Sequence, residues 1–129
     1  MDYNITNINP KLWGYSGWIF LNSIALVYTP EKKEKYYNFF SNLILPCNTC
    51  GHFYEIKLKD LNDALLNKDT LLQWLLNIRN DINKQNNKKI LTIDESIKQI
   101  YNNSYSYTLH YIIVFLIIII IILCFTKKV

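Results

Sequence analysis

The sequence predicts an all-α protein: a four-helix bundle plus a short fifth helix, with short antiparallel helices, followed by a C-terminal transmembrane helix. Three observations carry this expectation. Apolar residues recur at three- and four-residue spacing through residues 1–104. The same stretch has no alternating β-branched run and no Asn-Gly hairpin signal. The last quarter is disproportionately apolar, and residues 111–125 hold no charged side chain.

Asn9 before Pro10 reads as an N-cap and first helical residue, opening a helix to about Tyr28 with Trp18, Leu21, Ile24, Ala25 and Tyr28 near one face. Thr29 and Pro30 repeat the signal for a second helix carrying Tyr36, Phe39, Phe40, Leu43 and Ile44, which ends before Pro46. Pro46 cannot extend that helix but suits the first turn of a short one running over Cys47 and Cys50 toward Lys57. A loop over residues 62–68 leads to Asp69 and Thr70 as capping residues. The fourth helix then turns Leu71, Trp74, Leu75, Ile78 and Ile82 inward and closes at Asn86, Asn87 and Lys88. Thr92 with Glu95 forms a capping-box signature, so a fifth helix with Ile93, Ile97, Ile100 and Tyr101 feeds into the C-terminal span.

The expected division is a domain over residues 1–104, an anchor over 105–126 and a tail over 127–129. Residues 111–125 alone are short for a bilayer; extending the helix back to Tyr105 gives about 21 residues, or roughly 31 Å. Tyr105, Tyr107 and Tyr111 would lie at one interface, with Lys127 and Lys128 snorkelling at the other. The unbroken isoleucine run over residues 117–122 has no amphipathic face, which does not suit a core helix. The N-terminus has neither a basic nor an apolar signal segment. A single-pass protein anchored at its C-terminus, with its domain on the cytosolic side, is the expected placement.

The net charge is +4, and through Ser104 there are 12 basic against 10 acidic side chains, with Arg79 the single arginine. Nothing in this balance asks for nucleic acid.

Cys47 and Cys50 can close a disulfide within one helical turn, which points to redox chemistry. At a helix N-terminus the unpaired N–H groups and the dipole favour thiolate over thiol. Half of a zinc site is the alternative, and it needs two more ligands. Beyond the pair the chain offers His52, His110 and Cys124, the last two in or beside the apolar run; no metal is expected. A working disulfide on the cytosolic side would be catalytic rather than structural. A thioredoxin-type pair follows a strand, and none is visible around Cys47, so an all-helical core must house the electron acceptor, for example a flat cofactor between helices.

The chain resembles the Erv/ALR flavin-linked sulfhydryl oxidases, particularly the compact members of poxviruses and other large DNA viruses. Trp13-Gly14, Trp18, Leu21, Ala25 and Tyr28 are similar to the family's W-G-x-x-x-W-x-x-L-H-x-x-A-x-x-Y helix. Pro46-Cys47-x-x-Cys50 with His52 and Phe53 looks like its active-site segment. Trp74-Leu75, then Arg79-Asn80-Asp81-Ile82-Asn83 and Lys88, resemble W-L…H-N-x-V-N…K. The likeness covers about residues 10–89. Asn22 and Arg79 stand where the family usually has histidines, which alters contacts to a cofactor.

The resemblance implies a FAD-dependent thiol oxidase with Cys47 and Cys50 catalytic. Cys47 would exchange with the substrate dithiol, and Cys50 would pass electrons to FAD and on to oxygen, giving hydrogen peroxide. It implies cofactor contacts from Gly14, Trp18, Asn22, Tyr28, Trp74, Arg79, Asn80, Asn83 and Lys88, with Lys88 at the pyrophosphate. It further implies a homodimer through the first helices and a small dithiol protein as partner, serving disulfide formation in virion membrane proteins. The chain has no second shuttling cysteine pair. Two rival readings remain: a non-catalytic tail-anchored scaffold, and a flavin-free membrane-tethered dithiol carrier.

Overall fold

A computed structural model describes residues 7–126, without the side chains of residues 103–108 and 124–126. The described residues hold six α-helices: α1 (Pro10–Leu26), α2 (Lys33–Ser41), α3 (Asn48–Lys57), α4 (Leu61–Ala64), α5 (Lys68–Gln85) and α6 (Ile93–Thr126). Short 3₁₀ turns at Pro30–Lys32 and Leu58–Asp60 lead into α2 and α4. Contacts divide the chain into two units, residues 1–97 and 98–129.

In the first unit α5 is the central element, packed against α1, α3 and α4. Its sequence dictates this, because Leu71, Leu75 and Ile78 fall on one face at helical spacing and all reach zero exposure. Around it, Phe40 of α2 and Tyr54 of α3 meet the indole of Trp74 edge-to-face, with ring centroids 5.7 and 5.5 Å away. Tyr hydroxyls tie the helices at their ends. Tyr54 donates to the Phe40 carbonyl at 2.7 Å, and Tyr36 donates to the Ile24 carbonyl at 3.1 Å.

The first helix starts as expected, with Asn9 Oδ1 accepting from Lys11 N–H at 2.9 Å and Pro10 in the first turn. The second departs from expectation. It stops at Ser41, and of its predicted inward residues only Phe40 is fully buried, while Phe39 and Ile44 are exposed. Asn42 ends it by donating its side-chain amide to the Asn38 carbonyl at 2.8 Å, and the non-helical stretch that follows turns Leu45 inward and Ile44 out.

The loop expected over residues 62–68 is shorter, with 62–64 taken into α4 and a turn left at 65–67, because Leu61, Ala64 and Leu65 are all buried and their backbone must pair within the chain. The cap of α5 consequently moves back to Asn67. Asn67 Oδ1 accepts from Thr70 N–H at 2.9 Å and Thr70 Oγ1 accepts from Asn67 N–H at 3.1 Å, while Asp69 lies within the first turn.

Helix α6 opens on the predicted capping box, with Glu95 N–H donating to Thr92 Oγ1 at 3.2 Å and Thr92 N–H donating to the Glu95 carboxylate at 3.0 Å. The fifth helix and the expected C-terminal span are one continuous element of 34 residues. The apolar side chains over residues 111–123 are exposed. Among the described residues no helix is long and apolar enough to cross a membrane. The expected span includes residues 105–108 and 124–126, whose side chains lie outside the description, as does the 127–129 tail.

Phe40→Ala, which empties a fully buried aromatic site, is expected to cost about 3–5 kcal/mol in urea unfolding. Asn67→Ala, which removes only the cap of α5, should cost about 1 kcal/mol in the same measurement.

Candidate redox site

Cys47 is the N-cap of α3, in an extended conformation at φ −136° and ψ 124°, and its Sγ accepts from Cys50 N–H at 3.3 Å. Pro46 lies outside the helix, as the residue before the N-cap, and not in the first turn as expected. Its carbonyl accepts from Ile8 N–H at 2.8 Å, and Asn48 N–H donates to Asn7 Oδ1 at 3.2 Å, so the chain before α1 braces the cysteine turn. Both thiols are free and buried, at 6% and 3% exposure.

The two cysteines line different cavities. Cys50 lines a cleft of about 180 Å³ whose walls come from α1 and from α5 with its C-terminal turn. Cys47 lines a separate groove of about 310 Å³ beside residues 43–45.

Of the residues singled out in the sequence, the cleft gathers Gly14, Trp18, Arg79, Asn83 and Lys88 around Cys50. Pro10, Trp13, Tyr15, Ile82 and Asn86 complete the wall and were not picked out as site residues. Their signal was helical spacing: Tyr15 sits three residues before Trp18, and Ile82 and Asn86 lie three and seven residues after Arg79.

Four other singled-out residues do not line the cleft, and each has an internal partner. Asn22 is buried, donating to the Trp18 carbonyl at 2.9 Å and to Ser96 Oγ at 3.1 Å. Tyr28 donates to the Leu65 carbonyl at 2.6 Å, tying the end of α1 to the turn before α5. Trp74 faces the aromatic core and donates to the Lys57 carbonyl at 3.0 Å. Asn80 clasps Leu91 from both sides, donating to its carbonyl and accepting from its N–H, each at 2.9 Å.

Within the cleft the Arg79 guanidinium lies 5.9 Å from the centre of the Trp18 ring and 3.5 Å from Ser96 Oγ. Burial lowers its pKa, against a smaller opposing effect from Tyr15. Burial also pushes the Cys50 thiol up to about 12, with the hydrogen bond and charge of Cys47 adding to it. A backbone hydrogen bond and the Lys88 ammonium oppose the shift. The expected lowering of thiol pKa does not hold for Cys50, where desolvation outweighs the helix N-terminus.

The lining fits an aromatic, anionic ligand. A Cβ built on Gly14 would meet nothing closer than Pro10 at 3.9 Å, so its face is open. Trp13 Nε1 is buried and has no hydrogen-bond partner, an arrangement costing about 1–3 kcal/mol unless a ligand or water supplies an acceptor. Asn87, with φ 53° in the left-handed region that asparagine tolerates, turns the chain out of α5 and brings Lys88 to the cleft. Lys88 N–H is fixed there by the Asn83 carbonyl at 2.8 Å.

A helical bundle whose Cys-x-x-Cys turn lines both an aromatic, cationic cleft and an open groove, with no strand among the described residues, defines a dithiol–disulfide redox protein. The chain belongs to the Erv1/Alr family, whose model matches residues 15–102. It is 35% identical over 104 residues to a "Probable FAD-linked sulfhydryl oxidase" of Acanthamoeba polyphaga mimivirus, covering 72% of this chain and 71% of that one. It is 34% identical over 107 residues to a FAD-linked sulfhydryl oxidase of African swine fever virus, covering 77% and 87% respectively. A second isolate of that virus gives 33% over the same coverage. No solved structure matches the chain.

Because folding raises the Cys50 pKa, the folded protein holds that proton more tightly than the unfolded chain. The resulting stability is present below the ordinary thiol value of 9.0 and is lost as pH rises through about 12. Thermal unfolding of the reduced protein should therefore weaken over this window, less so in Cys50→Ser. Lys88→Gln should move the Cys50 titration, followed by thiolate ultraviolet absorbance, further upward.

Proposed function

We propose that the protein is a FAD-linked sulfhydryl oxidase that forms disulfide bonds in partner proteins. The observation that carries this reading is the opening of Cys47 and Cys50 onto different cavities. One sulfur can meet a substrate while the other meets an acceptor held between α1 and α5. The names of the mimivirus and African swine fever virus relatives support the same activity.

FAD, when bound, supplies a two-electron acceptor that molecular oxygen can reoxidise, giving hydrogen peroxide. Trp18 and Gly14 offer it a flat wall, Arg79 and Lys88 offer positive charge for its phosphates, and Asn83 offers an amide. In the oxidised enzyme a substrate thiolate attacks Cys47 Sγ, the Cys47–Cys50 bond breaks, and Cys50 leaves as a thiolate on the cleft side. The Lys88 ammonium favours that anion against the cost of burial. Asn22, Tyr28, Trp74 and Asn80 act at one remove by fixing the helices that carry the lining.

The reading extends to the rest of the chain. Leu12 and Phe20 are exposed on α1, and Val27 is exposed just past its end, which suits a homodimer through this helix. The apolar stretch over residues 111–125 suits a C-terminal anchor across 105–126, leaving the catalytic domain on the cytosolic side. A small dithiol protein would be the substrate, serving virion membrane proteins during assembly in a viral host cell.

Protein purified without added cofactor is expected to show the visible flavin band and dithiol-dependent oxygen uptake, the latter abolished in both Cys47→Ser and Cys50→Ser. Trp18→Ala should weaken FAD binding about tenfold, equivalent to ~1.4 kcal/mol. A colourless helical protein that takes up no added FAD would overturn the reading. Removing residues 105–129 should shift the protein from the membrane to the soluble fraction.

A further inference from the structure

The groove beside Cys47 has its own chemistry. One wall is a stripe of α3, where Asn48, Gly51, His52 and Glu55 recur at helical spacing. The facing wall is the non-helical stretch after α2, with Leu43, Ile44 and Leu45. Ile44 is 87% exposed, an apolar side chain held out in water by the turn at Asn42. Among the described residues the backbone groups of Ile44 and Leu45 make no hydrogen bond. Glu55 is the groove's one carboxylate, and no lysine or arginine shares its lining.

Thiol–disulfide exchange requires the attacking, central and leaving sulfurs to lie roughly in line. With Cys50 on the cleft side, attack on Cys47 Sγ comes from the groove side. Whatever carries the attacking sulfur must therefore lie along these walls at the moment of reaction.

We propose that this groove is the docking site for the polypeptide that carries the substrate dithiol. It takes a chain segment with a cysteine over Cys47, a large apolar side chain against Ile44 and Leu43, and a lysine or arginine at Glu55. The free backbone groups of Ile44 and Leu45 give such a segment main-chain hydrogen bonds that a small-molecule dithiol does not need. This inference rests on the sulfhydryl oxidase reading. The first substrate thiolate forms a bond to Cys47 Sγ, breaking Cys47–Cys50 and leaving the electron pair on Cys50. The second substrate thiolate then attacks the substrate sulfur of that mixed disulfide and releases Cys47 as a thiolate. The substrate is oxidised to a disulfide, its two protons pass to solvent, and the enzyme disulfide is the oxidant.

The test uses the full-length holoenzyme with two dithiol peptides, one flanked by leucine and arginine, the other by leucine and glutamate, and with dithiothreitol as a control. Serine-for-cysteine versions of both peptides, labelled for fluorescence anisotropy, report binding without any redox step. Wild type should bind the basic peptide more tightly than the acidic one. Glu55→Lys should reverse that order, with a change of about tenfold, or ~1.4 kcal/mol, for the basic peptide. Ile44→Ser should weaken both peptides alike. Neither exposed substitution should alter dithiothreitol oxidation. The docking proposal is overturned if anisotropy is unchanged by both variants, or if both variants slow dithiothreitol as much as peptide. Failure of wild type to oxidise dithiothreitol would instead sink the oxidase reading, and the anisotropy result would still decide whether the groove binds peptide.

Discussion

The apolar face of α5 is the constraint on which the first unit is built. Leu71, Leu75 and Ile78 are wholly excluded from solvent, and they can be so only if α1, α3 and α4 close over them together. That requirement sets α3 at one flank of α5 and α1 at another, which is why the N-terminus of α3 arrives beside the α1–α5 cleft. The cysteine pair inherits its position from packing that contains no redox chemistry. Tyr54 shows the coupling most directly, since the helix that begins at Cys47 also delivers this tyrosine into the aromatic group around Trp74.

Polar groups buried between the helices refine this frame. Ser96, at the start of α6, receives Asn22 from α1 at 3.1 Å and Arg79 from α5 at 3.5 Å on one hydroxyl. Both were singled out in the sequence as candidate cofactor contacts. Their meeting at a single oxygen makes them one local solution. A guanidinium over Trp18 needs a nearby acceptor, and an amide at position 22 can share that acceptor while satisfying the Trp18 carbonyl.

The long elements were legible because their signals are local and repeated. The apolar stripe of α5, the Asn9–Pro10 start of α1 and the Thr92–Glu95 box each depend on residues within a turn or two. The end of α2 and the cap of α5 were not, since Asn67, Asp69 and Thr70 are all competent capping residues and burial of Leu61, Ala64 and Leu65 decides between them. The candidate site divides in the same way. Gly14, Trp18, Arg79 and Asn83 converge because they sit on facing sides of two helices, with Lys88 on the turn just past α5, whereas Tyr28, Trp74 and Asn80, drawn from the same motifs, are committed to backbone carbonyls. Neither the groove beside Cys47 nor the raised pKa of Cys50 has a linear signature, because both depend on which segments fold back over α3.

The contact between Gly17 and Trp13 has an evolutionary consequence. A Cβ built on Gly17 would fall 2.7 Å from the Trp13 ring, so the indole lies where any larger residue one turn later would have its first side-chain carbon. Positions 13 and 17 are not free to drift independently. A lineage that acquires alanine or serine at 17 must already have given up the indole at 13 or must shift it, and with it reshape one wall of the cleft. The two positions are thus coupled: a side chain at 17 can be accommodated only as the indole at 13 moves or is replaced.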